Sequence, residues 1–304
     1  MDHISLIIVN YNTEDETHQC LESLSHLQAN GFSYQILVVD NGSKNLFALD
    51  KNERKQPIEI IRSESNLGFT GGNNLGITYA FDKYQSDYVL LINNDTYVEP
   101  TFLQTLYEFS QQHPTFGLIC PKIYFAKGYE FHQRSYLPSE RGRVLWYGGG
   151  SIDWFNLLCF HRAVDEVDEG QVDSLATSDF ATGCCILVKR EVIEKVGLFD
   201  ERYFLYLEDV DLSLRAVEHG YEIGFCSEAV IWHKNAGSSG GAGSELHQYY
   251  QTRNRLLFGL MHGNTRQRLT TVSYILRLLR SPHRAERIAV FDLLLNRLGK
   301  RVVI

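Results

Sequence analysis

A short buried strand followed at once by a polar cluster is the feature that most restricts how this chain folds. Tyr88–Ile92 is a run of apolar side chains too short for a helix, and Asn93-Asn94-Asp95-Thr96 follow it directly. Strands that are apolar on both faces are typical of the middle of a parallel sheet. Ligands of open α/β sheets bind at the carboxyl ends of the strands. The cluster therefore predicts either a site, where Asp95 holds a divalent cation against a phosphate, or a simple turn.

The first hundred residues repeat this arrangement. Apolar strands alternate with helical segments over short connections, which predicts a parallel, Rossmann-like half with helices on both faces. Asp40 ends the second strand, and the Gly-rich stretch 66–76 opens a helix after the third. Glycine backbone at a helix start suits a phosphate. No GxGxxG follows the first strand and no GK[ST] triplet occurs, so a dinucleotide-binding dehydrogenase and a Walker loop are excluded. We predict these strands at 4–9, 35–39, 58–61 and 88–92.

The next part of the chain, residues 101–263, reads as an acceptor-binding and catalytic half. We predict a helix over 102–112, a short strand at 118–120 that Pro121 ends, and a strand over 180–188. Residues 126–176 lack periodicity and form either a surface loop or an insertion whose aromatic residues, including Trp146, suit stacking on a sugar.

Acidic residues crowd the start of a later helix. Glu208, Asp209 and Asp211 lie within four positions there, where acids either complement the helix dipole or supply a general base, and Asp209 is our choice for the base. The strand 229–232 ends at His233, ahead of the glycine-rich stretch 237–243, which we expect to close over a bound substrate.

Charge is distributed unevenly. The net charge is -8, yet residues 264–304 hold nine Lys/Arg and two acids, a local +7, which leaves about -15 on the rest. The acidic body argues against nucleic-acid binding. The basic amphipathic segment 264–304 either packs on the body or meets an anionic membrane surface. The chain starts with an apolar segment that lacks a basic region, and no apolar run is long enough to span a membrane. These features predict a cytoplasmic protein that is at most peripheral on the inner face of the membrane. The six dispersed cysteines favour the same location and predict neither a zinc site nor disulfides.

These landmarks, in this order, resemble the family 2 glycosyltransferases over residues 4–258, most closely the bacterial rhamnosyltransferase-like enzymes. The resemblance implies a GT-A fold in residues 1–263. It also implies inverting transfer of a sugar, most simply L-rhamnose from dTDP-rhamnose, to a saccharide or lipid-linked acceptor. Dimerisation stays open. The segments that carry the resemblance are 39–43, 66–76, 93–95, 197–201 and 208–212.

The resemblance also implies site residues. Asp209 corresponds to the family base, with Glu208 beside it, and Asp95 and His233 correspond to ligands of Mg²⁺ or Mn²⁺. Asn93 replaces the first acid of the family's DXD element, which weakens the expected metal site. Donor contacts are expected from Val9, Tyr11, Asp40, Gly42, Asn66, Gly68, Asn73, Asn93 and Asn94, and acceptor or loop roles from Thr182, Gly183, Trp146, Asp211 and Arg253.

Two other classes of protein were weighed. One is a non-catalytic nucleotide-sugar-binding module, in which Asn93 would mark the loss of metal binding. A nucleotidyltransferase shares chemistry at strand ends, but it predicts a Gly-rich loop with a basic residue after the first strand, and residues 10–13 have neither.

Overall fold

The computed structural model describes residues 1–235 and 244–301. Within them, a nine-stranded mixed sheet is flanked by helices, and its strands run in the order β3-β2-β1-β4-β10-β6-β11-β5, with β7 beside β6. The strands are β1 Asp2–Asn10, β2 Phe32–Asn41, β3 Ile58–Ser63, β4 Tyr88–Ile92, β5 Thr96–Val98, β6 Phe116–Phe125, β7 Leu145–Tyr147, β8 Gly150–Asp153, β9 Leu158–His161, β10 Cys185–Lys189 and β11 Glu222–His233. The helices are α1 Glu14–Leu24, α2 Gly68–Tyr84, α3 Phe102–Gln112, α4 Arg190–Val196, α5 Glu208–Glu218, α6 Glu245–His262, α7 Thr265–Leu278 and α8 Arg284–Leu294.

The predicted parallel half is confirmed. β1 pairs in parallel with both β2 and β4, and β2 pairs in parallel with β3. Every residue of β4 is buried, as its unbroken apolar run indicates. All four carboxyl ends therefore face one edge of the sheet, and the polar residues that follow them meet there.

The second half departs from the prediction in several places, among them β11, which begins at Glu222 and not at residue 229. β6 continues through Pro121 instead of ending there, because Pro121 lies at the β-bulge where the pairing with β11 shifts, and a bulge tolerates a residue without an N–H. The strand predicted over 180–188 begins only at Cys185. Residues 126–176 are not wholly irregular, since they contain β7 and the hairpin of β8 and β9.

The basic segment forms α7 and α8, which pack against α6. Leu256 of α6, Ile275 and Leu278 of α7 and Val290 of α8 share one apolar cluster. No helix of the described residues is both long enough and apolar enough to span a bilayer. The glycine-rich stretch 237–243, expected to close over substrate, lies outside the described residues.

Candidate active site

A cavity of about 640 Å³ opens at the carboxyl edge of the sheet. Asp95, from the end of β4, and Asp209, from the start of α5, both line it, although they are far apart in the sequence. The other predicted site residues that line it are Val9, Tyr11, Asn66, Gly68, Asn93, Asn94, Trp146, Thr182, Gly183, Glu208 and His233.

Asp209 is held by main-chain donors. The N–H of Gly183 donates to Asp209 Oδ2 over 2.8 Å, and the N–H of Val210 donates to Oδ1 over 2.8 Å. Burial raises the pKa of the Asp209 carboxyl, and these two donors oppose part of that rise. A Cβ on Gly183 would lie 2.9 Å from the Phe69 ring, so glycine is what lets the main chain pack this closely against Phe69.

Glu208 provides a contrast to its neighbour. Its side chain is buried, and Oε2 has no hydrogen-bond partner among the described residues. Burial, joined by the negative charge of Asp209, raises the pKa of Glu208 well above its usual value. Of the two carboxyls, Asp209, which accepts from the N–H groups of Gly183 and Val210, ionises more readily than Glu208.

The loop that leads into α5 is strained. Phe204, Tyr206 and Leu207 have φ of 63°, 73° and 68°, in the left-handed region that residues with side chains seldom adopt. The buried amide of Asn254 in α6 restrains this loop: its Nδ2 donates to the carbonyls of Tyr203, Leu205 and Tyr206 over 3.0, 2.7 and 2.9 Å. The sequence did not reveal Asn254, because an amide inside a helix carries no local signal.

Asp95 and His233 meet through strand pairing. His233, the last residue of β11, pairs with Thr96 of β5, which places His233 Nε2 3.0 Å from Asp95 Oδ1. Two ligands of an octahedral divalent cation, each at about 2.1 Å and at right angles, are separated by about 3 Å, so these atoms suit a shared ion. His233 is buried with Nδ1 unpartnered among the described residues, and Trp146 packs edge-on against its ring.

The Gly-rich helix start does not form the open phosphate cradle that the sequence predicts. The N–H of Gly68 donates to Asn66 Oδ1 over 2.7 Å, and the N–H of Phe69 donates to the Phe204 carbonyl over 3.0 Å. Leu67 N–H donates to Asn41 Oδ1 over 2.9 Å. The first N–H groups of α2 are thus used within the protein, and they join this loop to the one before Asp209.

Asn94 also has a mainly internal contact. Its Nδ2 donates to the hydroxyls of Thr13 and Thr17 over 2.7 and 2.9 Å. Thr13 directly precedes α1 and makes no side-chain cap bond there. The amide of Asn94 instead ties the end of β4 to the turn after β1.

Five predicted site residues do not line the cavity. Asp40 is buried in an ion pair with Arg62, and a Cβ on Gly42 would lie 2.4 Å from the Ser65 carbonyl carbon. Asn73 is buried and donates to the Phe69 carbonyl.

The other two members of this group, Asp211 and Arg253, are fully buried. Asp211 pairs with Arg215 and His262 at 2.8 and 2.7 Å, and the Arg253 guanidinium donates to main-chain carbonyls. Both make internal contacts and are not brought to the cavity.

Two basic residues that the sequence did not indicate also line the cavity. Lys300 and Arg301 follow α8, and the chain returns so that both border the site. They had been counted only as part of the basic segment, because nothing local indicates that the chain folds back.

Solved structures define the fold. GalNAc-T7 with UDP, GalNAc and Mn²⁺ superposes with a TM-score of 0.61 at 14% identity over 86% of this chain and 49% of that one. S. aureus TarS in complex with UDP superposes with a TM-score of 0.54 at 15% identity over 93% of this chain and 73% of that one. The predicted GT-A glycosyltransferase fold is confirmed.

Sequence comparison gives the family. The profile of Glycosyl transferase family 2 matches residues 5–197, and the chain belongs to this family. It is 27% identical to the low-salt glycan biosynthesis hexosyltransferase Agl10 of Haloferax volcanii, over 84% of this chain and 75% of that protein. It is 28% identical to the N-acetylglucosaminyl-diphospho-decaprenol L-rhamnosyltransferase of Mycobacterium tuberculosis, over 79% and 78%. The protein is a glycosyltransferase of the rhamnosyltransferase-like kind. This assignment disfavours both alternatives, the non-catalytic binding module and the nucleotidyltransferase.

Proposed function

We propose that the protein is an inverting glycosyltransferase that moves a sugar from a nucleotide-diphosphate donor to a hydroxyl of a saccharide acceptor. The observation that carries this proposal is that Asp209 and the pair of Asp95 and His233 line one cavity. A carboxylate able to take a proton and a ligand pair suited to a divalent cation are the two elements that displacement at an anomeric carbon needs.

In this proposal Asp209 is the general base. Its carboxylate takes the proton of the acceptor hydroxyl as that oxygen bonds to the anomeric carbon and the bond to the diphosphate breaks. The Gly183 and Val210 N–H groups orient the carboxylate and keep it ionised. Burial and the negative charge of Asp209 raise the pKa of Glu208, which disfavours a second negative charge beside the base.

Asp95 Oδ1 and His233 Nε2 are the proposed metal ligands. Bound Mg²⁺ or Mn²⁺ supplies positive charge that stabilises the leaving diphosphate. Trp146 packs against the imidazole ring of His233, whose Nε2 points towards Asp95, while Nδ1 has no hydrogen-bond partner among the described residues. Another cluster with metal-ligand spacing, of His18, Asp50 and Glu53, does not line the cavity.

We propose L-rhamnose from dTDP-rhamnose as the donor sugar and a lipid-linked saccharide as the acceptor. The names of relatives support this choice: one from Mycobacterium tuberculosis is an N-acetylglucosaminyl-diphospho-decaprenol L-rhamnosyltransferase, and one from Shigella flexneri is a dTDP-rhamnosyl transferase. The Haloferax volcanii relative is named a hexosyltransferase, and TarS has been solved with UDP and with UDP-GlcNAc, so UDP-linked hexoses are the competing donors.

The face of α7 supports a lipid-linked acceptor. Leu269, Val272 and Leu276 are 67%, 45% and 56% exposed and recur at helical spacing, on the segment that carries the excess of arginines. We propose that this face contacts the anionic membrane that holds the acceptor.

The test is a screen of nucleotide sugars for release of nucleoside diphosphate, with Mn²⁺ present or chelated, in the presence of a polyprenyl-diphospho-N-acetylglucosamine analogue. We expect release and glycosylated product with dTDP-rhamnose and metal, and little with chelator. Turnover of a UDP-hexose without turnover of dTDP-rhamnose would reject the rhamnose proposal. No turnover of any nucleotide sugar on any saccharide acceptor would reject the proposed function itself.

A further inference from the structure

The permanent positive charges of the cavity come from one short stretch of chain. Among the described lining residues, Asp95, Glu208 and Asp209 are acidic, while Lys300 and Arg301 are the lysine and arginine side chains. A nucleotide-diphosphate donor brings further negative charge into this site. Electrostatic balance therefore gives the segment after α8 a part in donor binding.

This segment is fixed in place by main-chain hydrogen bonds. Gly299 N–H donates to the Arg202 carbonyl over 2.8 Å, and the Gly299 carbonyl accepts from Arg253 Nη1 over 2.7 Å. The N–H of Arg301 donates to the Tyr250 hydroxyl over 2.9 Å. Lys300, between these anchors, is presented on a defined backbone.

Lys300 and Arg301 differ in how their charge is compensated. Arg301 Nε lies 2.9 Å from Asp292 Oδ2, so a carboxylate already neutralises it. Lys300 Nζ donates to the Asn66 carbonyl over 2.8 Å, and no carboxylate pairs with it among the described residues. An ammonium has three donors, which leaves Lys300 with charge and hydrogen-bonding capacity for a ligand.

Lys300 can bind a phosphate where the N–H groups of the Gly-rich loop do not. The first N–H groups of α2 are occupied by Asn66 and Phe204, so they do not serve a phosphate. Asn93 and Asn94 are neutral, so Asp95 brings the one negative charge of the segment 93–95 that can hold a cation. Lys300 is exposed, and its hydrogen bond to the Asn66 carbonyl places its cation against this same loop.

We propose that Lys300 is a donor-binding residue that contacts the diphosphate of the nucleotide sugar. This inference rests on the proposed function and extends it, because it assigns one basic residue of the segment to the cavity and not to a membrane. The ligand class is a nucleoside diphosphate, free or sugar-linked, and the contact is a charge-assisted hydrogen bond.

The test is calorimetric binding of dTDP and UDP, with and without Mn²⁺, to the full chain carrying Lys300→Met. Arg297→Met is the matched control: it removes the same charge from the same segment, but Arg297 is exposed and does not line the cavity. We expect Lys300→Met to weaken dTDP or UDP binding about tenfold, the worth of one charge-assisted hydrogen bond. Arg297→Met should bind as the wild type does, and Lys300→Arg should recover most of the affinity.

Thymidine and uridine, which lack phosphates, provide the second control. We expect Lys300→Met to leave the affinity for the nucleosides unchanged, because only the diphosphate contact is lost. Equal diphosphate affinity in Lys300→Met and Arg297→Met would overturn the inference while leaving the proposed function intact. A wild-type protein that binds no nucleoside diphosphate in either metal condition would overturn both.

Discussion

Asn254 offers the sharpest test of how the base is positioned. The three left-handed residues of the loop before Asp209, Phe204, Tyr206 and Leu207, each cost about 1–3 kcal/mol relative to an ordinary backbone conformation. The Asn254 amide, fully buried, makes three hydrogen bonds to this loop. The amide NH2 has two hydrogens, so its three contacts amount to about two full hydrogen bonds; at about 0.5–1.5 kcal/mol each they contribute roughly 1–3 kcal/mol, comparable with the strain of one such residue.

The perturbation is Asn254→Ala. We expect the free energy of unfolding to fall by about 1–3 kcal/mol, measured by urea denaturation. The released loop should relax towards ordinary φ values and displace Asp209, so we expect kcat to fall by about 10²-fold. The assay is release of nucleoside diphosphate with saturating donor and acceptor, at a temperature where the variant remains folded.

Asn74→Ala is the matched control. Asn74 is also a buried amide, and it exchanges two hydrogen bonds with the Phe199 main chain at 2.9 and 3.0 Å, but it does not line the cavity. We expect a similar loss of stability with turnover near that of the wild type. If Asn254→Ala lost stability and kept its kcat, the idea that this tether positions Asp209 would be wrong.

Three further outcomes follow from the site and the surface. Burial raises the pKa of Asp209, and the base acts without its proton. We therefore expect kcat/KM to rise with pH, with an apparent pKa above the ordinary range of an aspartate. A kcat/KM that does not change with pH in that range would contradict the assignment. Asp95→Ala should abolish the gain in donor affinity that Mn²⁺ gives, as calorimetry with and without the ion would show, and an undiminished gain would remove Asp95 from the metal site. Leu269→Ser with Leu276→Ser should reduce co-sedimentation with anionic vesicles while leaving turnover of a soluble acceptor analogue unchanged, and unaltered sedimentation would reject the membrane face.

The sequence predicted well wherever the pattern was local. The apolar run of Tyr88–Ile92 and the polar residues after it were enough to place β4 and the edge of the sheet. Parallel pairing of neighbouring strands then brought Tyr11 and Asn93 to one cavity. Helix α3 was predicted to the residue, because its apolar spacing and the His113-Pro114 stop are both short-range signals.

Prediction failed where a contact joins distant segments. Nothing local indicates that β11 continues past a bulge beside Pro121, or that a three-residue strand, β5, places Asp95 against His233. The sequence also could not distinguish which acids of one helix turn reach the cavity. Asp209 lines the cavity, whereas Asp211 is buried in an ion pair with Arg215. The return of the chain to Lys300 depends on packing of α8 that only coordinates reveal.

The most direct measurement compares donor affinity with turnover in Asp209→Asn. Asparagine keeps the shape of the side chain but takes no proton, so calorimetry should give a nucleotide-sugar affinity close to the wild-type value while transfer to the acceptor is lost. The account predicts that separation of binding from chemistry. Transfer at the wild-type rate by Asp209→Asn would contradict it.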